Sequence, residues 1–193
     1  VTMTKKTVKN IVILVVIALI VVYSFYVIIE KNGSGKSDSK TKSDVEKLAD
    51  RNLDEDYPDT PKGVVDYYSQ IITCLYEGGY SEDEMKELAK QAHKLMDDEL
   101  ASRNEFDDYY KNLREDVESY KADEKKISSY LVESGDDVKY KDFQERKYSF
   151  VDCIYYTKGK EGTAKVPEEY TLRMDKDGKW KILYWKMVNK NEK

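Results

Sequence analysis

"DGKWKILYWKMV", Asp177 to Val188, decides the fold. Asp177-Gly178 is a turn pair of the kind that joins two antiparallel strands. The residues after it alternate with the period of two that a strand requires. Trp180, Ile182 and Tyr184 then share one face, and Leu183, Trp185 and Met187 share the other. Backwards from the turn, Val166–Met174 and Tyr148–Thr157 read as two further strands and Ile127–Val132 as a fourth, while Val138–Tyr140 is either a short fifth or the lead into the next. Before Lys126 the period is helical instead. Thr60-Pro61 is a capping hydroxyl followed by a proline at the first helical position. Val64, Val65, Tyr68, Ile71, Ile72 and Leu75 recur behind it on one face, until Gly78-Gly79 stops the helix. Ser81 with Glu84 forms a capping box for a second helix, which buries Met85, Leu88, Ala89, Ala92, Leu95 and Met96. Asn104 is placed to cap a third, with Phe106, Tyr109, Tyr110, Leu113, Val117 and Tyr120 at three- and four-residue steps. Three helices followed by a run of strands predict an α+β domain, with the helices on one face of a curved antiparallel sheet.

That domain is expected over 60–189, with a tail at 190–193. The stretch from Ile11 to Ile29, IVILVVIALIVVYSFYVII, carries no charge. Nineteen helical residues reach ~28 Å, about the thickness of a bilayer's hydrocarbon core. It is read as an uncleaved transmembrane anchor, because it is too long for a signal peptide and no small-residue cleavage site follows. Lys5, Lys6 and Lys9 lie in the short segment 1–10, which favours a cytoplasmic N-terminus and a C-terminal domain outside the membrane. Residues 30–59 begin with KNGSGKSDSKTKSD and are expected to be a flexible linker, in which Val45, Leu48 and Ala49 allow one short helical turn before Pro58 breaks the pattern. Beyond residue 30 there are thirty Lys and Arg against 37 Asp and Glu, a net charge of −7. Such a domain repels nucleic acid, so a nucleic-acid partner is excluded.

The chemistry-bearing residues are sparse. Gly35-Lys36-Ser37 imitates the end of a phosphate-binding loop, but the required first glycine falls on Glu30. Cys74 and Cys153 have no metal-type spacing, and the single histidine, His93, has no second histidine to share a metal. Asp175, Asp177 and Gly178 do not have calcium-loop spacing. No metal, cofactor or catalytic residue is therefore expected. Asp152 is expected to point outward, leaving Ser149, Val151, Cys153 and Tyr155 on the inner face.

The order of three helices and a curled sheet, with the closing "DGKWKILYW", resembles the nuclear transport factor 2-like fold, a cone-shaped domain. The segments VVDYYSQIITCLYEGGYSEDEMKELAKQAHKLMDDEL and KKISSYLVES are similar to a family of uncharacterised single-pass membrane proteins of anaerobic Gram-positive bacteria. That resemblance spans Thr60 to Lys186 and implies no activity. The fold it implies serves enzymes, adaptors and partner-holding domains alike, so function must come from a site. Tyr68, Tyr109, Tyr155, Tyr170 and Tyr184 sit at core-facing periods and are the candidates to line a ligand pocket. Phe150, Ile154, Tyr156, Leu183, Trp185 and Met187 are expected on the uncovered back of the sheet, as a contact surface for a second copy or an envelope protein. The expected function is an extracytoplasmic binding or scaffolding domain without catalysis. The rival is a small-ligand sensor or a low-polarity pocket enzyme, isomerase- or dehydratase-like, that uses tyrosines and acids.

Overall fold

The computed structural model describes residues 43–188. The expected anchor at 11–29 and the tail lie outside the described residues. Five helices come first: α1 Asp44–Ala49, α2 Pro61–Glu77, α3 Glu82–Lys94, α4 Asp98–Arg103 and α5 Phe106–Ala122. Five strands follow: β1 Lys126–Val132, β2 Lys139–Phe143, β3 Arg146–Gly159, β4 Gly162–Met174 and β5 Trp180–Met187. The fold class is α+β. All pairings are antiparallel, in the order β1-β3-β4-β5, and β2 pairs with β3 along the edge that β1 also uses.

Local chemistry accounts for the boundaries. The Thr60 hydroxyl accepts the Gly63 amide at 3.0 Å, and Pro61 opens α2. Gly78 stops it at φ +86°. Ser81 and Glu84 close a reciprocal capping box on α3. Between β4 and β5, Asp175 Oδ1 accepts the amides of Asp177 and Lys179 at 2.9 and 2.8 Å, and Gly178 takes φ +79°. The β2–β3 hairpin turns on Gln144 and Glu145, both at positive φ. Asn-Gly or Asp-Gly would usually occupy such a turn, and its absence kept β2's extent from being read.

The core is one apolar layer between sheet and helices. Val151, Cys153 and Tyr155 of β3, Tyr170 and Leu172 of β4, and Trp180 and Ile182 of β5 are buried. Val64, Val65, Ile71 and Leu75 of α2 and Leu88, Ala89 and Ala92 of α3 are buried in the same cluster. The face of α5 is less covered: Leu113 is buried, while Phe106, Tyr109, Tyr110, Val117 and Tyr120 are half-buried.

Three expectations are corrected. First, the folded unit starts at residue 43, not 60. Ala49 and Leu53 are buried in the core. Gln91 donates to the carbonyls of Ala49 and Arg51 at 2.8 and 2.9 Å, Tyr67 donates to Leu48 at 2.7 Å, and Tyr57 donates to Trp180 at 2.7 Å. Apolar residues are too few before Pro58 to show a period, yet two of them find places in a core built by later residues. Second, a short extra helix, α4, precedes α5. The cap of α5 is Glu105, and the Asn104 amide instead donates back to Leu100 at 3.0 Å.

The third correction is to the opening dozen residues. Thr171 pairs with Tyr184 and Leu172 with Ile182, so Leu183 is an extra residue, a β-bulge. Trp180 and Ile182 face the helices as expected. Beyond the bulge the faces exchange, because the period of two has slipped by one. Tyr184 lies on the outer side of the sheet, while Trp185 and Met187 lie on the helix side. The bulge falls where β5's other edge gains a neighbour. Ile182 donates to Leu95 and accepts from Asp97, both at 2.8 Å.

Candidate functional site

Helix α5 packs mainly against α2 and α3, and a cavity of about 570 Å³ opens between α2, α5 and the sheet. Helix α2 contributes Tyr68 and Tyr76 to it, eight residues apart on one face. Helix α5 contributes Tyr109, Asp116 and Tyr120. The sheet supplies the floor through Tyr155, Glu168, Tyr170 and Trp185. Seven aromatic rings therefore surround the space. Two carboxylates line it, and no Lys, Arg or His among the described residues does.

The floor is ordered by ring packing. Tyr170 and Trp185 stack with centroids 5.9 Å apart and planes at 22°. Tyr68 sits 5.8 Å from each of them, edge-on to Tyr170. Such offset and edge arrangements suit the ring quadrupoles. Across the cavity, Tyr76 and Tyr120 meet edge to face at 4.7 Å.

Beneath the rings runs a chain of hydroxyls. Tyr170 donates to Glu168 Oε2 at 2.8 Å. Each phenol has one proton to give, so Tyr155 must donate to Tyr170 at 2.9 Å, and Ser69 to Tyr155 at 2.8 Å. Burial pushes the Tyr155, Tyr170 and Tyr68 phenols well above their ordinary range, and they stay neutral at physiological pH. Burial also raises the Glu168 carboxyl above its ordinary value of 4.5, opposed by the Tyr170 hydrogen bond. No cation is paired with Glu168 among the described residues. The Tyr109 hydroxyl is buried without a hydrogen-bond partner, and burial pushes its phenol above the ordinary range, opposed by the neighbouring Tyr68 hydroxyl.

Four of the five tyrosines expected to line a pocket, Tyr68, Tyr109, Tyr155 and Tyr170, meet at this one cavity. Tyr184 does not, being 45% exposed on the opposite side of the sheet. Trp185 takes part instead, and the bulge explains the exchange. Glu168 and Asp116 were not expected. Alternation from Tyr170 and Leu172 already places Glu168 on the inner face, and that was the available signal. The expected contact surface is divided. Phe150, Ile154 and Tyr156 are half-buried on the outer face, where their register partners are Thr171, Pro167 and Lys165. Leu183 is the bulge residue, and Trp185 and Met187 lie on the helix side, so the six do not form one surface.

The other singled-out groups have structural roles. His93 is half-buried, and its Nε2 lies 2.8 Å from the Asn104 carbonyl, between the rings of Phe106 and Tyr109. Asp152 is exposed, on the outer face. Cys74 and Cys153 are both free thiols. Among the described residues, the one strongly buried ion pair joins Arg173 of β4 to Asp97, with Glu99 a second acceptor at 3.3 Å. It fastens the start of α4 over β5.

The family described as Domain of unknown function (DUF6715) matches residues 2–185, and the chain belongs to that family. No curated protein matches. Among solved structures, the chain is similar to CagV, a VirB8 homolog of T4SS from Helicobacter pylori strain 26695. The two are 11% identical with a TM-score of 0.41, over 65% of this chain and 97% of that one.

Proposed function

We propose that this member of the DUF6715 family is a membrane-anchored, extracytoplasmic binding protein, whose α+β domain takes a small ligand into the aromatic cavity without transforming it. The cavity itself carries the reading. Its volume lies in the range of about 300–1,000 Å³ that ligand sites occupy, and its walls are mostly apolar with a few convergent polar groups. The anchor rests on the uncharged run Ile11–Ile29, and the orientation on Lys5, Lys6 and Lys9.

Binding is favoured over turnover by what the polar groups are already doing. General acid–base catalysis needs a group poised to exchange a proton near neutral pH. The floor phenols are held neutral and donate to one another or to Glu168, and although burial raises the Glu168 carboxyl, no His, Lys or Arg among the described residues lines the cavity as a partner for it. The arrangement suits holding a ligand against rings and one carboxylate.

The test uses the full chain in a non-ionic detergent, with Trp180→Phe so that Trp185 is the only tryptophan. A panel of small alkyl and aryl compounds, including ammonium, neutral and carboxylate members, is titrated while Trp185 fluorescence is followed. At least one class should give a saturable change, and Tyr68→Ala should weaken it at least about tenfold, the loss of one well-packed ring. If no compound produces a saturable change, the cavity is not a ligand site.

A further inference from the structure

We infer that the ligand is an organic cation, a methylated or alkylated ammonium group carried on a larger body. The inference rests on the cavity being a ligand site and concerns what that site selects. Two features of the lining point the same way and are independent of each other. One is the set of rings. Aromatic faces carry negative charge density and attract a cation within ~6 Å of the ring centre, best when water is excluded. Here Tyr68, Tyr170 and Trp185 crowd within 6 Å of one another on the floor, and Tyr76, Tyr109 and Tyr120 supply the facing wall.

The other feature is uncompensated charge. Glu168 is half-buried at the base of the rings, and its one hydrogen-bond donor among the described residues is the neutral Tyr170 hydroxyl. Asp116, across the cavity, is exposed at its mouth and among the described residues accepts from the Tyr76 hydroxyl. Elsewhere in the domain buried acid is matched: Asp97 has Arg173. At the cavity there are two carboxylates and no Lys, Arg or His. An anion would meet two like charges and electron-rich rings. A neutral ligand without a donor would exclude water from Glu168 and return nothing for it, and a neutral donor would answer the carboxylate but gain no charge attraction from the rings. A cation satisfies both the carboxylate and the rings. A soft, weakly hydrated ammonium bearing methyl groups suits rings that lack hydrogen-bond acceptors in their faces. The volume exceeds what such a head group needs, which is why the ligand has a body as well.

Choline and 3,3-dimethylbutan-1-ol have the same shape and differ in a charged nitrogen against a neutral carbon, so they separate charge from fit. Binding of each to the full chain in non-ionic detergent is measured by calorimetry or ligand-observed NMR. Choline should bind at least about tenfold more tightly than the alcohol, the upper part of the range for cation–π contacts. Glu168→Gln, which keeps the volume, should remove most of that preference while leaving the alcohol's affinity unchanged. Trp185→Leu, which removes a floor ring and leaves the carboxylate in place, should weaken choline without needing Glu168 to be altered. If the alcohol binds as well as choline, or if only neutral or carboxylate panel members bind, the cation inference is overturned and the cavity reading stands. If nothing binds, both are overturned.

Discussion

Glu168 shows at the scale of one residue how a site differs from a core. Its carboxyl is raised by burial in the folded chain, so the folded state holds its proton more tightly than the unfolded state does. For an acid raised in this way, stability falls as pH climbs from the ordinary value of 4.5 through the folded value, because the unfolded chain loses the proton first. Glu168→Gln should therefore raise the melting temperature at neutral pH, and the gain should shrink toward zero below pH 4.5. A melting series of both proteins from pH 4 to pH 8 checks this, and equal melting temperatures throughout would show that the carboxylate carries no strain. A residue that costs stability while facing a cavity is better explained by binding than by folding. Glu168 was legible in principle, since it shares a face with Tyr170 and Leu172, but in sequence it is one acid among 38 Asp and Glu. Only the fold shows that, among the described residues, no basic side chain pairs with it or lines its cavity.

At the scale of elements, the dense apolar periods were readable and the sparse ones were not. Helices α2 and α3 have strong caps and complete apolar faces, and both lie where their sequences place them. Strands β3 and β4 alternate without interruption and keep their expected faces. Strand β5 does not, because the single extra residue Leu183 turns every later side chain over. Nothing within β5 announces the bulge, whose neighbour on the free edge is the chain at Leu95–Asp97, far away in sequence. In the segment before α2 a short helical turn at residues 45–49 is legible, but its place in the core is not, for the same reason: its partners are all distant. This leads to a test of where the domain begins. A chain starting at residue 60 lacks buried Ala49 and Leu53 and the carbonyls that Gln91 and Tyr67 use. Burial of one Leu side chain contributes about 1.5–3 kcal/mol, and each orphaned donor costs about 1–3 kcal/mol. Chemical denaturation should find the chain from residue 60 less stable than the chain from residue 43 by at least about 3 kcal/mol. Equal stability would return 43–59 to the linker.

For the whole molecule the open question is what covers the back of the sheet, since all helices described except α4 pack on the other face or on one another. Register makes Leu131, Ile154 and Pro167 neighbours across β1, β3 and β4, and the Val188 amide extends the row by bonding to Pro167 at 2.9 Å. This apolar row has Asp152 and Glu169 on one side of it, with Lys186 of β5 bridging Glu169 at 2.9 Å, and Lys158 and Lys165 on the other. A two-fold axis lying along the row would set the row of one copy against the row of another. It would also lay each acidic flank over a basic one, with Glu169 above the second copy's Lys165. Such self-complementarity is what a closed dimer requires, and we propose a back-to-back homodimer on this basis, with a surface that differs from the one expected from alternation alone. Leu131 is 56% exposed, so Leu131→Glu should change stability by no more than about 0.5 kcal/mol while abolishing association. Glu169→Lys should also weaken the dimer, and adding Lys165→Glu should restore it, because the axis exchanges the two positions between copies. Sedimentation of residues 43–193 across a concentration series reads both. A monomer at every concentration, or a dimer indifferent to Leu131→Glu and to the charge exchange, would leave this face to a different protein or to solvent.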